Sequence, residues 1–211
     1  FVENVMEIID KYFPNLTDEQ RARFAALKDL YEDWNAKINV ISRKDIGNLY
    51  EHHVLHSLGI AKFTDFVDGT EILDLGTGGG FPAIPLAIIF PNVTFHAIDG
   101  VGKKIKVLNA VAESIGLTNI KGEHLRAEDV KAKYDYVVSR AVMQMPDLMK
   151  LARPLLKPVA SSALPVGVIA LKGGDLTEEL KPLGRNAMSE SLTNYFEEEF
   201  FSTKSVVYVM K

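Results

Sequence analysis

The 211-residue chain contains no cysteine. Disulfides, thiolate metal sites and a cysteine nucleophile are therefore excluded together. Long hydrophobic runs are missing too. The longest, around Ile84 to Phe90, is too short to span a bilayer and carries Pro85 inside it. The opening residues, Phe1-Val2-Glu3-Asn4, lack a basic stretch leading into an apolar one, so no signal peptide is expected. A cytoplasmic protein with no membrane partner is the expectation. An excess of positive charge is also lacking: 24 Lys and Arg stand against 28 Asp and Glu, a net charge of −4. A chain that holds nucleic acid by its overall field would be basic, so any such binding must come from a local patch or a structured particle. The content, 47% hydrophobic and 25% charged, is that of a globular chain and excludes disorder. The length fits one domain with an appendage better than two full domains.

Two kinds of patterning are present. From Val2 to about Leu58 the spacing is helical. Val5, Ile8, Ile9, Tyr12 and Phe13 recur at one face. Thr17 followed by Gln20 forms a capping-box pattern before a stripe of Phe24, Leu27, Leu30, Tyr31, Trp34 and Ile38. A third helix is expected from Asp45 or Asn48 to Leu58, and no strand before Thr70. After Gly69, short apolar runs alternate with helical patterns, the grammar of βαβ units. Strands are predicted at Glu71–Leu75, Thr94–Asp99, Ile120–Leu125, Tyr134–Ser139, Gly167–Lys172 and Val206–Met210, with a further one near Phe196–Phe201. Helices are predicted at Phe81–Phe90, Lys103–Ile115, Pro146–Leu156 and Leu176–Leu183. The final two strands leave no room for a helix and predict a tight antiparallel pair. The expected fold is α/β: a Rossmann-like, mostly parallel sheet of the class I methyltransferase kind, last strand antiparallel, with an N-terminal helical extension. The division expected is residues 1–58 on the substrate side and 59–211 as the cofactor-binding domain.

Asp74-Leu75-Gly76-Thr77-Gly78-Gly79-Gly80-Phe81-Pro82 follows the first predicted strand and opens a helix. Glycines permit positive φ and leave room for a ligand against the main chain. The helix N-terminus offers free N–H groups and partial positive charge. A dinucleotide fold needs G-x-G-x-x-G, and here Phe81 stands where the third glycine belongs. Asp74, just before the first glycine, suits the ammonium of a methionine moiety and would repel a pyrophosphate. Asp99, ending the second strand, is placed to accept ribose hydroxyls. These features favour S-adenosylmethionine over a nicotinamide dinucleotide. The alternative for either aspartate is a turn or helix cap. Arg126-Ala127-Glu128-Asp129 follows the third strand, where a backbone N–H and a carboxylate could read an adenine edge; a helix start is the competing reading. Arg140 ends the fourth strand at the carboxyl edge where open sheets bind ligands. A salt bridge to Asp74 or Glu128 is its structural competitor.

Together these segments resemble the RsmG family, also called GidB, of bacterial small-subunit rRNA methyltransferases. The resemblance spans essentially the whole chain. It rests on Trp34-Asn35, Ile38-Asn39, His53 and Ser57-Leu58, the glycine loop with Phe81-Pro82, and Ile84-Pro85-Leu86-Ala87. Gly102-Lys103-Lys104, Arg126-Ala127-Glu128, Ser139-Arg140-Ala141 and Leu171-Lys172-Gly173-Gly174 continue it. It implies methyl transfer to N7 of a guanine in a 16S rRNA loop near the decoding centre. It also implies that Gly76, Phe81, Ala127, Glu128 and Arg140 contact the cofactor. The chain departs from the family pattern at Ile41 (usually threonine), His56 (aspartate), Ala83 (glycine) and Gly100 (serine).

Guanine N7 carries an exposed lone pair and no proton, so the reaction needs neither a general base nor a metal. No acid or base is assigned; Arg140 and His53 are the positioning candidates. The cofactor set is Asp74, Gly76, Gly78, Phe81, Asp99, Ala127, Glu128 and Arg140. For RNA contact the candidates are Arg43, Lys44, His53 and Arg140, with Lys103, Lys104 and Lys106 as a secondary patch; a solvated helix face is the plainer reading of those lysines. His52 and His56 have the spacing of a metal pair but lack a third ligand. The expected partner is 16S rRNA or the small ribosomal subunit, acted on by a monomer. The competing functions are a small-molecule methyltransferase, an NAD-dependent oxidoreductase and an inactive RNA-binding homologue.

Overall fold

The computed structural model describes residues 6–140 and 142–211. Val2, Val5 and Ala141, named above, lie outside the described residues. The N-terminal part comprises α1 (Glu7–Tyr12), α2 (Asp18–Asn35) and α3 (His56–Phe63). A 3-10 turn at Ile46–Asn48 and a π-helical stretch at Leu49–Leu55 lead into α3. So the third helix is composite rather than α throughout. The capping box is formed: Thr17 accepts from the Gln20 N–H, and the Gln20 side chain accepts from the Thr17 N–H.

The remaining elements are β1 (Glu71–Leu75), α4 (Ala83–Ile89), β2 (Thr94–Asp99), α5 (Gly102–Ser114), β3 (Ile120–His124) and β4 (Tyr136–Arg140). They continue with α6 (Met145–Ala152), β5 (Gly167–Gly173), α7 (Thr177–Leu180), β6 (Ala187–Ser191) and β7 (Lys204–Met210). The seven-stranded sheet has the order β3-β2-β1-β4-β5-β7-β6. β1 to β5 pair in parallel, and β7 runs antiparallel to both β5 and β6. This is the mostly parallel sheet with an antiparallel last strand.

Three details of the prediction are overturned. Phe196–Phe201 is not a strand; a 3-10 turn covers Glu199–Thr203, and Phe196 and Phe201 are buried core anchors. The edge strand is β6 instead, so β7 is reached through two 3-10 turns rather than a tight hairpin. The fourth strand starts at Tyr136, because the Asp135 carboxylate turns to accept the Glu71 N–H at 2.8 Å. Tyr134 keeps only an isolated bridge to Leu156.

Both sheet faces are covered, as parallel strands require. On one face Phe24, Leu27, Tyr31, Leu55 and Leu58 share a continuous core with Ile72, Ile84, Phe95 and Val111. On the other, Leu148 and Met149 of α6 pack on Leu73, Val137 and Val168. The N-terminal helices are thus seated on the sheet beside the carboxyl ends of β1 and β4. Among the described residues no helix is long and apolar enough to cross a membrane.

Candidate active site

The turn after β1 is built around Asp74. Its side chain is fully buried, and Oδ2 accepts from Thr77 Oγ1 at 2.8 Å and from the Ala83 N–H at 3.0 Å. Thus Asp74 ties the start of the loop to the start of α4. Its Oδ1 is buried without a partner, and burial pushes the carboxyl up to about 8. Gly76 and Gly80 adopt φ of 75° and 124°. A Cβ at Gly76 would lie 2.7 Å from Val142 Cγ2, and one at Gly80 would lie 2.7 Å from Ile84 Cδ1. Only glycine satisfies both backbone and space there. The helix starts at Ala83, with Pro82 capping it rather than sitting in its first turn.

Asp99 closes the other side of the loop. Its Oδ2 accepts from the Gly78 N–H and its Oδ1 from the Val101 N–H, both at 2.8 Å. Each oxygen keeps a second lone pair for a ligand. Both aspartates therefore act as loop ties. Beside Asp99 opens a cleft of about 340 Å³, lined by Gly76, Asp99, Gly100, Ala127, Glu128 and Val142 among others; Asp74 lies beneath it and does not line it. Glu128 is exposed and Ala127 is buried. Ala127 begins a 3-10 turn, so its N–H has no acceptor within that turn. A Cβ at Gly100 would meet nothing within 4 Å. The serine usual in the resembled family has room there.

A second cluster stands beside the loop. Arg140, at the end of β4, donates from Nη2 to His53 Nδ1 at 3.0 Å and from Nη1 to the His52 carbonyl at 3.3 Å. It pairs with neither Asp74 nor Glu128. His53 Nε2 in turn faces Asp45 Oδ2, and His52 Nδ1 faces Asp45 Oδ1, each at 2.5 Å. Burial, then the Arg140 charge, hold His53 down to about 4. Burial pulls Asp45 upward, but hydrogen bonds from the two imidazoles outweigh it and leave the carboxyl below its ordinary value. Phe81 lies beneath this cluster: the guanidinium is 5.4 Å from its ring centroid and the His53 ring 5.5 Å. Tyr31 of α2 packs its ring, tilted by 36°, against Phe81 at 5.1 Å and donates its hydroxyl to the Gly79 carbonyl at 2.8 Å.

The predicted residues thus fall into separate groups. Gly76, Asp99, Ala127 and Glu128 share the cleft; Arg140, His53 and Phe81 share the neighbouring cluster. Arg43 and Lys44 are exposed just before Asp45. Lys103 and Lys104 belong to neither group and line a neighbouring groove beside α5. His52 and His56 grip Phe200 instead of each other, His52 stacked at 3.9 Å and His56 edge-on at 5.5 Å. Among the described residues no group of histidines and carboxylates could hold a metal ion. Two residues escaped the sequence reading. In the sequence Asp45 reads only as a helix start, and no spacing signals its pairing with His52 and His53. Tyr31 reads only as part of an apolar stripe. Asn35 also proves structural: its side chain bonds the backbone of Val40 and Ile41, placing Val40 against Gly79.

A family model described as rRNA small subunit methyltransferase G (GidB) matches residues 20–206. A ribosomal RNA small subunit methyltransferase G of Bacteroides thetaiotaomicron is 60% identical over 203 residues, covering 96% of this chain and 98% of the relative. Its namesake from Phocaeicola vulgatus is 59% identical over 204 residues, covering 97% and 98%. Among solved structures, a SAM-dependent methyltransferase from Aquifex aeolicus superposes with a TM-score of 0.58 at 13% identity, over 81% of this chain and all (100%) of that one. That last likeness is one of fold.

Proposed function

Because this chain belongs to the rRNA small subunit methyltransferase G family, we propose that it moves a methyl group from S-adenosylmethionine to N7 of a guanine in 16S rRNA. The observation that carries the reading is one adjacency. The glycine-loop cleft and the Arg140–His53–Asp45 chain meet at the same edge of the sheet, with Phe81 under the chain.

The cleft fits the methyl donor. Gly76 lets the main chain come close, the spare lone pairs of Asp99 take ribose hydroxyls, and the Ala127 N–H with Glu128 reads the adenine edge. Asp74, buried beneath the turn, holds the loop against the start of α4 rather than touching the donor itself. When bound, S-adenosylmethionine supplies an activated methyl on a sulfonium. N7 attacks in line and has no proton to lose. His53 is suited to that chemistry because it is not a free base: an arginine cannot accept, so Nδ1 receives the Arg140 donor, and the proton sits on Nε2 toward Asp45. Arg140 and His53 position the nucleotide, and alignment supplies several kcal/mol of the barrier reduction. Arg43 and Lys44 take backbone phosphates, as residues 1–58 form the substrate side. The working form is a monomer in the cytoplasm, and the substrate is the assembled small subunit, since a net charge of −4 disfavours naked RNA.

Small subunits from a bacterium lacking the modification, incubated with the protein and labelled S-adenosylmethionine, test this. Strand cleavage at 7-methylguanine is expected at one guanine in the decoding-region loop. Cofactor binding without labelling would move the assignment to another acceptor.

A further inference from the structure

Trp34 stands near the end of α2, partly exposed, and two ammonium groups lie over its ring: Lys37 Nζ at 5.1 Å and Lys106 Nζ at 5.9 Å from the centroid. The same lysines line a groove of about 420 Å³ together with Lys103, Lys104, Ile38, Asn39 and Val101. Among the described residues no carboxylate lines it. Among the described residues none of these lysines forms an ion pair, although the chain carries more acids than bases. Like charges gathered without counter-charges repel one another, and a polyanion relieves that repulsion. The groove also adjoins the proposed donor cleft. Val101, in its wall, donates its N–H to Asp99, and the segment after Lys37 carries Val40 onto Gly79.

We propose that Trp34 and the surrounding lysines form a second RNA subsite, which stacks one unpaired base on the indole and holds the flanking phosphates with Lys37, Lys103, Lys104 and Lys106. This rests on the rRNA reading above and deepens it. A duplex cannot offer a base face to the indole, so the subsite takes single-stranded RNA. Stacking on an aromatic with cations alongside is how single strands are held without sequence preference. A base on one indole face displaces an ammonium, which remains within reach of the neighbouring phosphate. The subsite therefore anchors the substrate beside the target loop, while Arg140 and His53 handle the target nucleotide.

Trp34 is the chain's only tryptophan, so intrinsic tryptophan fluorescence reads this one position. Titration with a short single-stranded oligoadenylate is expected to quench it saturably, with an affinity that falls as salt rises. Polyglutamate and inorganic polyphosphate are expected to leave it unquenched. By anisotropy of labelled oligoadenylate, Trp34→Ala should bind about tenfold more weakly. Lys106→Ala, an exposed change that spares the core, should reduce the salt-dependence slope by about 0.7. Trp34→Phe, which keeps an aromatic ring, should bind closer to wild type than Trp34→Ala. The proposal fails if oligoadenylate binds with Trp34 fluorescence unchanged, if polyglutamate quenches equally, or if the Trp34→Ala and Lys106→Ala proteins bind as wild type. Methyl transfer to small subunits, run in parallel, separates the two ideas. Transfer by wild type without quenching sinks the subsite alone, whereas quenching without transfer sinks the rRNA reading.

Discussion

Arg140 reaches across from the sheet to the N-terminal helices, donating to His53 Nδ1 at 3.0 Å. That contact fixes the tautomer of a histidine whose other nitrogen faces Asp45, and it joins the end of β4 to the element carrying the candidate RNA contacts.

The Arg140 fork serves two acceptors at once, the His52 carbonyl and His53 Nδ1. A lysine offers a single nitrogen and no planar fork. Arg140→Lys should therefore lower kcat/KM for small subunits about 10- to 100-fold. His53→Ala should do the same to a smaller extent, with the pH profile of kcat unchanged in shape because His53 transfers no proton. Steady-state methyl incorporation across pH checks both.

Buried titratable groups set the pH response of stability. His53 and His56 are held down to about 4 and about 3, both first by burial, so the stability they contribute is present above 6.5 and lost as pH falls. Asp74, pushed up from 3.8 to about 8, works in the opposite sense: its contribution is lost as pH rises toward 8. Between pH 4 and 6.5 unfolding takes up two protons at the histidines and releases one from Asp74, a net uptake of one. Stability should then rise with pH across this window. From 6.5 to 8 only Asp74 counts, and stability should decline. Urea unfolding across this range should show a maximum near pH 6.5, and Asp74→Asn should abolish the decline above it.

Gly76→Ala places a Cβ at φ 75° and 2.7 Å from Val142. Cofactor affinity measured by calorimetry should drop at least tenfold, and stability should fall by about 1–2 kcal/mol. Gly100→Ser faces open space and should leave stability within about 0.5 kcal/mol of wild type. Equal effects of the two changes would contradict this account of the loop.

Tyr31→Phe removes one hydroxyl and leaves the Gly79 carbonyl without its partner. The loss should be about 1–2 kcal/mol, accompanied by weaker cofactor binding because the loop loses its tie to α2. Ala substitution of the exposed Lys37 should move neither quantity.

Legibility in the sequence followed burial. β1, β2 and β5 announce themselves as short apolar runs because both their faces are covered. β6 was missed because Ala187-Met188-Ser189-Glu190-Ser191 is an edge strand with mostly exposed or half-exposed positions and no apolar alternation. The phenylalanines at 196, 200 and 201 mimic a strand because Phe196 and Phe201 fill the core, Phe196 from a loop and Phe201 from a 3-10 turn. The glycine loop with Asp74 and Asp99 was readable because backbone geometry dictates those residue types. The Arg140–His53–Asp45 chain was not, because it is assembled from distant segments whose meeting depends on how α2 and α3 sit on the sheet.

The wide winding of Leu49–Leu55 has a consequence for how this protein tolerates changes in length. In a π-helical turn successive side chains fan out less than in an α-helix, which lets the adjacent His52 and His53 converge on the one Asp45 carboxylate. Removing a single residue from that segment would relax it to ordinary winding, and the apolar anchors on either side could still seat. The imidazoles would then point in divergent directions. A one-codon deletion here would spare the body of the molecule and dismantle its grip on Arg140.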